Sequence, residues 1–199
     1  MRVFTAGVIL MDDRFREEPR ILRIRPSLRL DGVTSIDPGM LREQGVRAVL
    51  LDLDNTIVSY HEDRADDAVA GWVRALGAAG IQTLILSNNH APRVRRIAEG
   101  LGVAFISDAK KPLHAGFLRA LKVLGVRADE ALVVGDQLFT DVVGGNRLGL
   151  RTALVRPIGK AEFIGTRLVR PVERLALWGM DRLGAASEAL SPQGGRQAL

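Results

Sequence analysis

Apolar residues in this chain come in short blocks, and the blocks alternate in kind. Five runs rich in Val, Ile and Leu, at 47–51, 81–86, 103–106, 131–134 and 152–155, show no polar alternation. Unalternated runs of this length suit strands covered on both faces, as in a parallel sheet flanked by helices. The segments between them repeat at helical spacing. Trp72, Ala75, Leu76 and Ala79 predict one apolar helix face, Val94, Ile97, Ala98 and Leu101 a second, and Phe117, Leu118, Leu121 and Leu124 a third. Pro92 suits a first helical turn, and Gly125 is placed as a C-terminal stop. The resulting βαβαβ order predicts a doubly wound α/β domain on a parallel five-stranded sheet.

With 199 residues and 47% hydrophobic content, the chain can bury one substantial core but hardly two. The expected organisation is an N-terminal extension, 1–40, packing on a catalytic core, 41–160. A basic C-terminal segment, 161–199, follows, with a frayed tail after Ala185. The N-terminal apolar stretch breaks at Asp12 and Asp13 and lacks a small-residue cleavage pattern, so it reads as part of the mature protein. No uncharged apolar run approaches the roughly 18 residues needed to span a bilayer. The expectation is a cytoplasmic protein with at most peripheral contact at the inner membrane face. An excess of 28 Lys and Arg over 23 Asp and Glu favours anionic partners. The absence of cysteine excludes disulfides, thiolate metal sites and a cysteine nucleophile.

In open parallel sheets ligands bind beyond the carboxyl ends of the strands, so the polar residues that follow each run matter most. The first run ends in Asp52-Leu53-Asp54-Asn55-Thr56 and the second in Ser87-Asn88-Asn89; Lys111-Pro112 follows the third. The fourth ends in Gly135-Asp136, with Asp141 five residues later. If the backbone stays extended through Leu53, Asp52 and Asp54 point to one side and their carboxylates converge. Gathered carboxylates repel unless they share a cation or a proton. Oxygen ligands without Cys or clustered His point to a hard ion, Mg2+ first. Thr56, Ser87 and Lys111 are then candidates for holding phosphoryl oxygens. Singly, each feature has a bland reading: a strand-end turn for the two aspartates, an N-cap for Ser87, a solvated pair for Lys110 and Lys111. Their succession at strand ends is the signal. His61, His90 and His114 share no metal-ligand spacing, and Gly144-Gly145-Asn146 lacks phosphate-loop spacing and reads as a tight crossover.

The order DLDNT, LSNN, KKP and VGDQLFTD resembles the four motifs of the haloacid-dehalogenase (HAD) phosphatase superfamily. The longer stretches GDQLFTDVVGGNRLG, RPI and TRLVRPVERL resemble the YqeG family of subclass IIIA, relatives of mitochondrial phosphatidylglycerophosphate phosphatases. The similarity covers residues 26–178. It implies a Rossmann-like HAD core in which Asp52 is the nucleophile, forming an aspartyl-phosphate, and Asp54 the acid/base. It also implies Mg2+ held by the Asp52 carboxylate, the Asp54 backbone carbonyl and Asp136, with Asp141 as an accessory ligand or close support. Asn55, Thr56, Ser87, Asn88 and Lys111 make up the phosphate-binding set, Lys111 rather than Lys110 because the family places this lysine before proline.

The stretches from Thr56 to Ser87 and from Ser87 to Lys111 are mostly filled by a helix and a strand each, leaving no room for a cap domain. An open site suits a bulky phosphorylated substrate, or a neighbouring subunit serving as lid. Together with the resemblance this favours an anionic lipid headgroup, phosphatidylglycerophosphate. A nucleotide, phosphosugar or phosphoprotein is the nearer alternative, and a non-catalytic basic protein binding RNA or ribosomes the more distant one. Intact Asp52, Asp54, Lys111 and Asp136 weigh against nucleic acid as the partner. Arg156, Arg167, Arg170 and Arg174 follow the last run and suit an anionic surface or a solvated face, while Pro171 bars one continuous helix through them. Nothing in the pattern fixes an oligomeric state.

Overall fold

All five apolar runs form strands, and a sixth strand joins them, in the computed structural model, which describes residues 24–158. The strands are β1 (Leu28–Leu30), β2 (Ala48–Leu51), β3 (Gln82–Leu86), β4 (Ala104–Ile106), β5 (Ala131–Gly135) and β6 (Arg151–Val155). They form one sheet in the order β1-β6-β5-β2-β3-β4, every neighbouring pair parallel. The expected five-stranded sheet is thus corrected to six. The added strand is only three residues long, half-buried, and lies at the sheet edge against β6. An edge strand this short carries too few side chains to produce a readable apolar run. The rest of the expected 1–40 extension up to residue 23, and the expected 161–199 segment with Arg167, Arg170 and Arg174, lie outside the described residues.

The helices are α1 (Pro38–Glu43), α2 (Asp67–Ala78), α3 (Ala91–Leu101), α4 (His114–Leu124) and α5 (Val143–Asn146). Asp66 caps α2 by accepting from the Val69 amide at 2.7 Å, satisfying one of the donors that a helix start leaves open. Gly125 ends α4 in the left-handed conformation, where a side chain would be strained.

Alternation along each central strand sends side chains to two cores. Val49, Leu51, Ile85 and Val134 face a cluster containing Val69, Trp72, Val73 and Leu76 of α2 and Val94 and Ile97 of α3. Ala48, Leu50, Leu84 and Val133 face the opposite cluster with Phe117, Ala120, Leu121 and Leu124 of α4. Helices therefore cover both faces, which is why the strands read as uninterrupted apolar runs. Two expected core positions are corrected. Ala75 is exposed, because the buried stripe of α2 runs Val69-Trp72-Val73-Leu76. Leu118 is exposed too, its place taken by Ala120.

From β2 the chain winds outward through β3 to β4, then returns to β5 on the other side of β2 and continues to β6. The reversal between β2 and β5 is the switch point at which open α/β sheets bind ligands. Among the described residues no cap domain interrupts the connections from β2 to β3 or from β3 to β4; each holds one α-helix.

Candidate active site

At the switch point β2 and β5 run in register, and the ladder continues one step further as the Asp52 amide donates to the Val134 carbonyl at 2.9 Å. This places Asp52 and Asp136 on adjacent strand ends. After Asp52 the chain coils tightly on itself. The Ile57 amide donates to Leu53 O at 3.1 Å, the Asn55 amide donates to Val58 O at 2.7 Å, and Asn55 takes φ 60°. Asparagine tolerates this left-handed conformation better than most residues. The coil buries Asn55 and Thr56 and turns the Thr56 hydroxyl toward Asp52 Oδ2 at 3.2 Å, with Asp136 Oδ1 at 3.5 Å.

Asp52, Asp136 and Asp141 are all buried, and each offers a carboxylate oxygen within 4.8 Å of the others. Asp141 reaches this group from the π-helical turn Leu138–Val142 because the residue it leans over is glycine. A Cβ on Gly135 would lie only 2.3 Å from the Asp141 carboxylate. The Lys111 ammonium joins the cluster, 2.5 Å from Asp52 Oδ1 and 2.6 Å from Asp141 Oδ1. Lys110, the alternative lysine, is exposed. With all three carboxylates ionised, three negative charges face one positive, and the deficit of two matches a divalent cation. Carboxylate oxygens are the donors that a hard ion such as Mg2+ takes, so the residues present fit a divalent metal.

Burial sets the electrostatics. It pushes the Asp141 carboxyl up to about 6, with nearby Lys111 opposing and Asp52 adding to the rise. Burial alone would depress the Lys111 ammonium, but the carboxylates of Asp141 and Asp52 outweigh it and hold the pKa above the ordinary lysine value.

The loop after β3 contributes in three ways. Ser87 is buried, and its hydroxyl accepts from the Asn89 amide at 3.0 Å. Asn88, expected in the phosphate-binding set, clamps the backbone of Lys111: its Nδ2 donates to Lys111 O at 3.0 Å and its Oδ1 accepts from Lys111 N at 2.7 Å. Asn89 donates to Asp54 Oδ2 at 3.1 Å. Asp54's carboxylate lies outside the three-carboxylate group and takes its own partners, Asn89 and Arg93.

Arg93 and Asn89 are the site neighbours absent from the sequence-derived set. Asn89 was within reach as the last residue of LSNN; Arg93 resembles any other polar residue of a first helical turn. Gly144 and Gly145 pack as expected of a tight crossover. A Cβ on Gly144 would meet the Phe117 ring at 2.7 Å, and one on Gly145 would meet Thr152 Cγ2 at 2.8 Å. Arg156 is exposed and pairs with Asp31 at 3.0 Å. No helix among the described residues is long and apolar enough to cross a membrane.

The family profile described as haloacid dehalogenase-like hydrolase matches residues 37–149. The chain is 37% identical over 159 residues to the probable phosphatase YqeG of Bacillus subtilis, covering 80% of this chain and 92% of that protein. It is 27% identical to the chloroplastic/mitochondrial phosphatidylglycerophosphate phosphatase 1 of Arabidopsis thaliana, over 88% of this chain but only 50% of that protein. Among solved structures, the 3-deoxy-D-manno-octulosonate 8-phosphate phosphatase of Yersinia pestis is similar at a TM-score of 0.47 and 18% identity. That match covers 68% of this chain and 73% of the other.

Proposed function

Because the chain belongs to the haloacid dehalogenase-like hydrolase family, we propose that it hydrolyses phosphate monoesters at the β2–β5 switch point with Asp52 as the attacking group. The observation that carries this reading is the Lys111 ammonium seated between Asp52 and Asp141, beside Asp136 and Thr56. A phosphoryl group brings negative charge that needs a fixed cation, a metal and hydroxyl donors around one nucleophile, and positioning and charge neutralisation supply most of its transfer chemistry.

An Asp52 carboxylate oxygen bonds to phosphorus while the bond to the leaving oxygen breaks, giving an aspartyl-phosphate. Asp54 gives its proton to the leaving oxygen. It then takes one from the water that hydrolyses the aspartyl-phosphate, so both carboxylates return to their starting states. Lys111, Ser87 and Thr56 hold phosphoryl oxygens, while Asn55 and Asn88 shape the loops that present them. The carboxylates of Asp52, Asp136 and Asp141 and the Asp54 backbone carbonyl would hold Mg2+, which supplies charge neutralisation on the phosphoryl group.

For the substrate we infer phosphatidylglycerophosphate. Support comes from the likeness to the Arabidopsis enzyme, although the chain spans only half of that protein, and from the lack of a cap domain among the described residues. A site without a cap can meet a headgroup still anchored in its bilayer, at the cytoplasmic face of the membrane. The basic residues Arg167, Arg170 and Arg174 would add attraction to an anionic surface of about 1 kcal/mol each, weakened by salt. The test is phosphate release, with Mg2+, from phosphatidylglycerophosphate in mixed micelles against nucleotides, sugar phosphates and a phosphopeptide. Preference for the lipid supports the assignment. An untouched lipid alongside hydrolysed soluble esters removes it and leaves the phosphatase reading standing.

A further inference from the structure

Arg93, in the first turn of α3, spends all five of its N–H donors inside the protein. Nε and Nη2 donate to Asp54 Oδ1 at 3.3 and 3.0 Å. The remaining donors go to the loop that follows the β2 coil: Nη2 to Ser59 O at 3.2 Å, and Nη1 to Glu62 O at 2.6 Å and Asp63 Oδ1 at 2.8 Å. A guanidinium offers five donors in a rigid plane, so a fully engaged one has a single orientation. Its side chain is only 19% exposed, as is that of Asp54. Asn89 occupies the second oxygen of Asp54.

From this we propose that Arg93 is the positioning residue of Asp54, and that the 59–63 loop, by fixing Arg93, belongs to the catalytic apparatus. The proposal rests on the reading of Asp54 as the acid/base. An acid that must reach the leaving oxygen gains from a carboxylate held in one rotamer before substrate arrives, and the cost of a misplaced group is steep. With Oδ1 committed to two guanidinium N–H groups, Oδ2, which accepts only one bond, from Asn89, is the oxygen with room for the proton that goes to the leaving group. Asp63 supports the guanidinium from outside and is itself shared with Arg96. The loop carbonyls of Ser59 and Glu62 complete the seat. None of these groups lies in the carboxylate cluster with Lys111.

The test uses the dependence of kcat/KM on the leaving group, which reports the protonation of the leaving oxygen and not the holding of the phosphoryl group. With full-length chain and Mg2+, Arg93→Ala should lower kcat/KM about 30-fold for glycerol phosphate, whose leaving alkoxide needs a proton, and about threefold for p-nitrophenyl phosphate, whose leaving phenoxide does not. Asp63→Asn keeps the Arg93 contacts to Asp54 but removes a charged anchor, and should shift the ratio in the same direction by a smaller factor. It also carries the test if Arg93→Ala does not fold. Asp54→Asn is the control for the underlying reading. If Asp54→Asn steepens the leaving-group dependence while both Arg93→Ala and Asp63→Asn leave it at the wild-type slope, the positioning role is overturned and the acid assignment stands. If Asp54→Asn leaves the slope unchanged, the acid assignment itself falls, and the proposal with it. An equal fall on both esters in Arg93→Ala would make Arg93 a structural residue only.

Discussion

Lys111 Nζ lies 2.5 Å from Asp52 Oδ1, with both side chains almost wholly withdrawn from solvent. Removing one member of a buried pair leaves the other charged and unpaired, which costs about 3–5 kcal/mol. Lys111→Met preserves the stem and deletes the charge. Without metal it should lose stability on that scale, since Asp52 and Asp141 are both stranded. Added Mg2+ should then raise its melting temperature by more than it raises that of the wild type, because three carboxylates with no ammonium attract the ion more strongly. Thermal denaturation of both proteins with and without Mg2+ checks this. An equal Mg2+ increment in the two would show that Lys111 and the ion do not share the cluster's charge.

Asp141 carries the pH dependence. Its folded pKa, pushed up to about 6, lies above that of the unfolded chain, so the folded state holds a proton that the unfolded state has already released. The associated stability is present below the ordinary carboxylate range near pH 4 and is lost as pH rises through about 6. Lys111 shifts the same way, and its contribution persists through neutral pH until the ammonium titrates. In metal-free protein, the part of the stability profile between pH 4 and 6 that belongs to Asp141 should vanish in Asp141→Asn. Denaturant midpoints across this range measure it. A profile unchanged by the substitution would contradict the raised pKa.

Protons and metal compete for the same carboxylate, because a ligand must be ionised to bind. Mg2+ affinity should therefore fall as pH drops below about 6, with proton uptake accompanying metal release. Calorimetric titrations in buffers of different ionisation enthalpy at pH 5.5 and 7.5 give both quantities. A Kd independent of pH would exclude Asp141 from the metal site.

Gly135→Ala is the smallest change that should disable the site without touching a charged group. Its methyl would lie 2.3 Å from the Asp141 carboxylate, and overpacking of this kind costs about 1–3 kcal/mol. Asp141 must swing away, so metal affinity and kcat should fall together while the sheet persists. Circular dichroism alongside a Mg2+ titration distinguishes this from global unfolding. Wild-type metal affinity in Gly135→Ala would mean that Asp141 is not a ligand.

The sequence carried the sheet well because its central strands are buried on both faces, and a run such as AVLL at β2 has no competing pattern. β1 escaped notice for the opposite reason: three residues at an edge, alternating in burial, are too few to form a period. Lys111 was legible because a proline follows it, and Asp136 because it ends an apolar run. The seat of Asp54 between Asn89 and Arg93 was not, since it depends on residues brought in from the loop after β3 and the start of α3 rather than on a pattern near Asp54. Arg93 was invisible in one dimension. Its partners Asp54, Ser59, Glu62 and Asp63 stand 30 to 39 residues upstream and meet it only once α3 packs beside the β2 loop.

The covalent role of Asp52 is tested most directly by rapid acid quench and mass spectrometry of the chain turning over p-nitrophenyl phosphate with Mg2+. Expected is one phosphate per chain on the peptide containing Asp52, appearing before steady-state phosphate release. Asp52→Asn should give neither the phosphopeptide nor turnover, because it replaces the attacking oxygen at nearly constant volume. Turnover at the wild-type rate by pure Asp52→Asn, or phosphate trapped on another residue of the wild type, would contradict the assignment.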